Sequence, residues 1–183
     1  MKRLIAVMLA SLFGATSASA MLKPQDKAPD FTVEAALGGK TFSFHLADAL
    51  KKGPVVLYFY PKSFTQECTV EAHDFADNAA NFAAAGASLI GLSADNIDTQ
   101  IQFSSRGCRD KFPVGADPHG KVIHAYDAQW LSLGGMGPAM SSRISYVIAP
   151  DGHILYAYQA MSPEKHIANT LAVVRQWRKA HGM

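Results

Sequence analysis

The chain has 183 residues, 49% of them apolar, 17% charged and 10% aromatic, with 14 Gly and 9 Pro scattered along it. That composition excludes disorder, collagen and coiled coil, and suits one domain that buries roughly two thirds of its unfolded surface. The formal net charge is +2 and no Lys/Arg run exceeds Lys51-Lys52, so the footprint of a nucleic-acid or anionic-membrane binder is missing and a small, weakly charged substrate fits better.

Residues 1–20 open with Lys2-Arg3, run apolar from Leu4 to Gly14, and end in Ala18-Ser19-Ala20. This is the tripartite pattern of a secretory signal with an A-x-A cleavage site, and its apolar run is too short to span a bilayer. Cleavage before Met21 predicts an exported, periplasmic or secreted domain of residues 21–183, and without Lys2 and Arg3 the remaining 15 basic residues balance 15 acidic ones. Export places Cys68 and Cys108 where disulfides persist, so a structural bridge is the plain reading against which catalytic cysteines are weighed.

Phe31 to Ala35 and Thr41 to Phe44 flank Gly38-Gly39 and read as an N-terminal β-hairpin. Pro54 to Tyr60 is continuously apolar, as a strand covered on both faces must be. Between Thr69 and Ala85, residues Val70, Ala72, Phe75, Ala76, Ala79, Ala80, Phe82 and Ala83 recur at helical spacing, and Gly86 stops the helix. Ala87 to Leu92 reads as a second buried strand, Asn96 to Gly107 as a helix, Val114 to Ala116 as a short strand and Val122 to Tyr126 as a helical turn. Arg143 to Ile148 and Ile154 to Tyr158 pair across Pro150-Asp151-Gly152. The last helix opens with Ser162 as N-cap and Pro163 at its first position, with Ile167, Leu171, Val174 and Trp177 on one face. The alternation predicts a mixed sheet with helices on both sides. The irregular stretch is Gln129 to Ser142, a Gly- and Met-rich segment that is either functional or mobile.

Cys68 falls in the first turn of the helix that follows the central strand, where unpaired N–H groups favour negative charge on the sulfur. Ionisation alone is a modest gain, since raising a thiolate fraction from roughly 3% to roughly 90% is about thirtyfold. Fast chemistry also needs groups that stabilise charge on a leaving atom.

The segment from Val55 to Ala72, VVLYFYPKSFTQECTVEA, resembles the active-site region of peroxiredoxins, with Pro61, Thr65 and Cys68 meeting the spacing Pro-x-x-x-Thr-x-x-Cys. The Arg143-containing hairpin and the order of elements from about Lys23 onward extend the likeness, which is closest to the bacterioferritin comigratory protein or peroxiredoxin Q type. The resemblance implies an α/β, thioredoxin-like fold and a peroxidase without metal or organic cofactor. It makes Cys68 the sulfur that attacks peroxide and becomes a sulfenic acid. Thr65 would accept from the peroxide, Arg143 would donate to sulfur and peroxide, and Pro61 would shield the pocket. Expected partners are a peroxide and a thioredoxin-like or small-thiol reductant; the enzyme is expected to be a monomer or weak dimer.

The sequence departs from that pattern in two places. His73 stands where many of these proteins carry a resolving cysteine, leaving Cys108 as the candidate for a Cys68–Cys108 disulfide, with direct regeneration by an external thiol as the alternative. Gln66-Glu67 replaces the usual Pro-Gly, and Glu67 is expected to face solvent, away from the sulfur. No zinc spacing and no C-x-x-C occurs. His45, His119, His124, His153, His166 and His181 read as surface or capping residues. A thiol–disulfide oxidoreductase, or a thioredoxin-like binding module with a structural bridge, is the other class of function. The apolar stretch from Trp130 to Met140 is expected to favour bulkier hydroperoxides.

Overall fold

The computed structural model describes residues 21–130 and 140–182. The expected export signal, and residues 131–139 of the long irregular stretch, lie outside the described residues. Seven strands form one mixed sheet. The hairpin β1 (Thr32–Leu37) and β2 (Lys40–His45) lies at one edge, and β5 (Val114–Ala116), β4 (Ser88–Ser93), β3 (Val55–Phe59), β6 (Ile144–Ile148) and β7 (Ile154–Gln159) follow across the sheet. Parallel pairs join β3 to β4 and β4 to β5; the other neighbours are antiparallel.

Central strand β3 shows why its sequence is unbroken by polar residues. Val55, Leu57 and Phe59 enter one core, while Val56, Tyr58 and Tyr60 enter the other, as the twofold alternation of a strand requires when both faces are covered. The first core is closed by α1 (Leu46–Leu50) and α4 (Lys121–Ala125), through Leu46, Leu50, Val122 and Ile123. The second is closed by α2 (Gln66–Ala84), α3 (Ile97–Arg106) and α5 (Glu164–Ala180), through Phe75, Phe82, Phe103, Leu171 and Val174. Gly91 on β4 is paired with Tyr58, and any Cβ there would sit 2.6 Å from the tyrosine ring. The position therefore admits only glycine while Tyr58 points into the second core.

The predicted elements are present within a few residues of their expected ends, and α1 is an addition. Three details differ. The buried stripe of α2 is Cys68, Glu71, Ala72, Phe75, Ala76 and Phe82, so Val70 is 45% exposed and Ala80 and Ala83 face solvent. A carboxylate sits inside the stripe that apolar counting assigns to alanine and valine. At α5 the N-cap residue is Pro163, and the Ser162 hydroxyl bonds the Glu164 carboxylate instead of capping a backbone N–H. His166, expected at the surface, is fully buried.

Candidate active site

The chain leaves β3 at Tyr60 and enters α2 at Thr65, so the Pro61–Thr65 loop joins the end of the central strand to the helix, touching the second core where Phe64 meets Phe103. Buried polar side chains fix this loop. Asp95 Oδ2 accepts from the Ser63 backbone N–H at 2.7 Å and from the Ser93 hydroxyl at 2.9 Å. Gln100 on α3 is fully buried, and its amide is fully used. Its nitrogen donates to Ser93 Oγ at 2.8 Å and to the Gly115 carbonyl at 3.1 Å, while its oxygen accepts from Tyr60 Oη at 2.8 Å and Ser63 Oγ at 3.3 Å. Phe64 adopts a left-handed backbone (φ 65°) and sets its exposed ring edge-on to Phe103, 5.1 Å between centroids. A bulky residue at positive φ is costly and persists only where its surroundings impose it.

Thr65 is the N-cap residue of α2 by position, but its side chain caps nothing; Oγ1 donates to the Lys62 carbonyl at 3.0 Å. With its proton committed there, the hydroxyl can only accept elsewhere. Pro61 is half-buried. The carbonyl just before it, that of Tyr60, accepts from Ser141 Oγ at 2.7 Å, which joins the loop to the segment leading into Arg143. That segment is itself anchored where Trp130 N–H meets the Met140 carbonyl and Ser142 N–H meets the Ala128 carbonyl, at 2.8 and 2.7 Å.

Cys68 is 2% exposed in the first turn of α2. Arg143, Ser145 and Val147 share one face of β6 by alternation, and that face looks into the same core. Arg143 Nη2 lies 3.5 Å from Cys68 Sγ, its Nη1 bonds Glu71 Oε2, and its Nε donates to the Met161 carbonyl at 2.8 Å. Glu67 is exposed, as expected, so the carboxylate that faces this chemistry is Glu71, one helical turn along. Burial pushes the Glu71 carboxyl up to about 8, against the opposing pull of Arg143. Its second oxygen, Oε1, is buried without a hydrogen-bond partner and lies 3.9 Å from His166 Nδ1.

Sequence reasoning missed Glu71 and His166. The signal for both was a polar residue on an otherwise apolar helical face: Glu71 between Cys68 and Phe75, and His166 four before Thr170 beside Ile167 and Leu171. Cys108 is the predicted residue that stands apart. It follows α3, is fully buried, and both cysteines are free thiols. The Arg106 carbonyl beside it meets His73 Nε2 at 3.4 Å and Arg109 pairs with Asp77 at 2.6 Å. The Cys108 segment is thus docked five to nine residues beyond Cys68, about 7–14 Å further along the α2 axis. Burial, reinforced by Asp110, pushes the Cys108 thiol well up. No cluster of His, Cys, Asp or Glu among the described residues could hold a metal ion.

A mixed sheet that presents a cysteine at the start of a helix against a buried guanidinium defines a thioredoxin-like thiol oxidoreductase. The chain belongs to the AhpC/TSA family, whose profile matches residues 24–157, and is a thiol peroxidase of the peroxiredoxin class. It is 34% identical over 149 residues to a Mycobacterium tuberculosis protein that bears the name peroxiredoxin, covering 80% of this chain and 91% of that one. It is 33% identical over 148 residues to the chloroplastic peroxiredoxin Q of Triticum aestivum, covering 80% of this chain and 64% of that one. Among solved structures, the peroxidoxin BcpB of Mycobacterium tuberculosis superposes with a TM-score of 0.75 at 31% identity, over 85% of this chain and 97% of that chain. The reduced 2-Cys peroxiredoxin of Plasmodium vivax, 19% identical with a TM-score of 0.77 over 88% of this chain and all of that one, shares the fold.

Proposed function

We propose that the chain reduces hydrogen peroxide and small organic hydroperoxides through Cys68 and is recycled through a Cys68–Cys108 disulfide. The observation that carries the reading is the Arg143 guanidinium 3.5 Å from the Cys68 sulfur inside a nearly closed site. The thiolate attacks one peroxide oxygen, so an S–O bond forms as the O–O bond breaks. The departing oxygen leaves with the electron pair and takes a proton, as hydroxide becoming water or alkoxide becoming alcohol. A fixed cation beside both atoms stabilises that developing charge in a site of low dielectric. Thr65, whose proton is already committed, is suited to receive the peroxide O–H, and half-buried Pro61 would shield the sulfur.

Resolution forms an S–S bond as the Cys108 sulfur attacks the sulfenic acid of Cys68; the S–O bond breaks and the hydroxide leaves as water with the proton that the Cys108 thiol gives up. Disulfide geometry needs Cα atoms roughly 4.4–6.8 Å apart, and a buried thiol must ionise to attack. The offset along α2 and the burial of Cys108 therefore both support a step that first unwinds the start of α2 and loosens the turn after α3. A dithiol of thioredoxin type, or a small thiol, then reduces the bridge. Export with removal of residues 1–20 rests on the leader pattern.

One equivalent of peroxide added to reduced protein, read by intact mass spectrometry, tests the scheme. Wild type should lose two hydrogens as a disulfide, Cys108→Ser should gain one oxygen at residue 68, and Cys68→Ser should stay unchanged. Peroxide consumption that continues without Cys68 would overturn the assignment.

A further inference from the structure

His166 is fully buried yet lies off the reacting atoms. Its Nε2 is 3.0 Å from the Ala160 carbonyl, which can only accept, so that nitrogen carries the ring hydrogen. Its Nδ1 is 2.8 Å from Ser145 Oγ. Burial holds the ring well below the usual imidazole range, at about 4, so the neutral ring presents a lone pair at Nδ1 and the serine hydroxyl donates to it. The tautomer is thereby set from both sides. One ring joins two stretches of chain: the side chain of Ser145 on β6, two residues after Arg143, and the backbone of Ala160 in the turn between β7 and α5.

That turn also carries the Met161 carbonyl, which accepts from Arg143 Nε, while Ala160 N–H donates to the Arg143 carbonyl at 3.3 Å. Met161 itself is half exposed, at 51%, so its side chain is not an anchor buried in the core. We propose that His166 is a positioning residue for the peroxidase step: by bridging Ser145 and Ala160 it fixes the Met161 carbonyl and so aims the Arg143 guanidinium at Cys68. Resting on the role given to Arg143 above, this identifies a second tie on that cation beside the Glu71 carboxylate. Displacements of about 1 Å at a catalytic group cost up to about a hundredfold in rate.

The test compares two reactions of the same sulfur: hydrogen peroxide, which needs the guanidinium, and iodoacetamide, which needs only the thiolate. His166→Leu removes both bonds, Ser145→Ala removes only the donor to Nδ1, and His166→Gln can restore an N–H to Ala160 and an acceptor for Ser145. The expected result is a loss of about tenfold or more in the peroxide rate for the leucine variant, with alkylation changed less than about threefold, a smaller selective loss for Ser145→Ala, and recovery with glutamine. Ser145→Ala and His166→Gln decide the matter even where the leucine variant does not fold. Equal changes in both reactions, or none in the peroxide rate, would overturn the inference. Arg143→Lys is measured alongside. If it keeps the peroxide rate, the role of Arg143 itself falls; if it loses the rate while the His166 and Ser145 variants keep theirs, only the part given to His166 falls.

Discussion

Glu71 and His166 are two buried ionisable side chains that enter the fold against opposite proton demands. Glu71 titrates higher in the fold, at about 8 against an ordinary value of 4.5. The folded chain thus keeps a proton that the unfolded chain releases, and this contribution is whole below about pH 4.5 and lost as pH rises towards 8. His166 titrates lower, at about 4 against 6.5, so its contribution is whole above about pH 6.5 and lost as pH falls towards 4. The two slopes oppose one another between about 4.5 and 6.5, and only that of Glu71 remains from 6.5 to 8. Urea unfolding at half-unit steps across that upper range should show wild type losing up to about 1.4 kcal/mol per pH unit more than Glu71→Gln. Parallel curves for the two proteins would mean that Glu71 enters the fold ionised.

At the scale of elements, Gln100 ties α3 to β4, β5, the end of β3 and the Pro61–Thr65 loop together. Gln100→Leu keeps the volume but takes from Tyr60 Oη its 2.8 Å acceptor inside the core and leaves it only Ser63 Oγ at 3.2 Å, and a buried group that loses its partner costs about 1–3 kcal/mol. We expect a loss of about 1–3 kcal/mol in unfolding free energy and a slower sulfenate step, because the loop carrying Thr65 loses the Gln100 bond to Ser63 Oγ and keeps the Asp95 bond to its Ser63 N–H. Unchanged sulfenate kinetics in a destabilised variant would show that the loop holds itself.

The elements themselves were legible from sequence because strand β3 and the helices announce their burial through unbroken apolar runs and helical spacing. The Pro61, Thr65 and Cys68 spacing marked the reactive turn. The polar support was not legible. His166 reads as a surface or capping residue, and Gln100 and Glu71 carry no local sign of burial, until the fold supplies partners from β4, β6 and the turn before α5, contacts that span up to 72 positions between Glu71 and Arg143. Pairing an arginine with a cysteine 75 residues away needed the resemblance, since no local pattern encodes it.

For the whole molecule, a Cys68–Cys108 bridge is a bond this fold must open to make. A bridge of that loop length in a permanently closed protein would add about 4 kcal/mol in the chain-entropy model. In the proposed recycling both sulfurs would leave core positions to meet, and packing lost at the start of α2 and after α3 would offset the gain. Thermal melts of the reduced and peroxide-oxidised protein should show the oxidised form no more stable. A clearly higher melting temperature for the oxidised form would mark the bridge as structural.

The Arg109–Asp77 pair, 46% and 64% exposed, lies beside Cys108 on the segment that the proposed bridge would move. Exposed pairs contribute about 0.2–1 kcal/mol and weaken as ions screen them. Added salt should therefore quicken bridge closure by up to about fivefold while leaving the first oxidation, made in a site closed to bulk ions, at its original pace. The speed of recycling would then follow the ionic strength of the medium through a contact that touches neither sulfur.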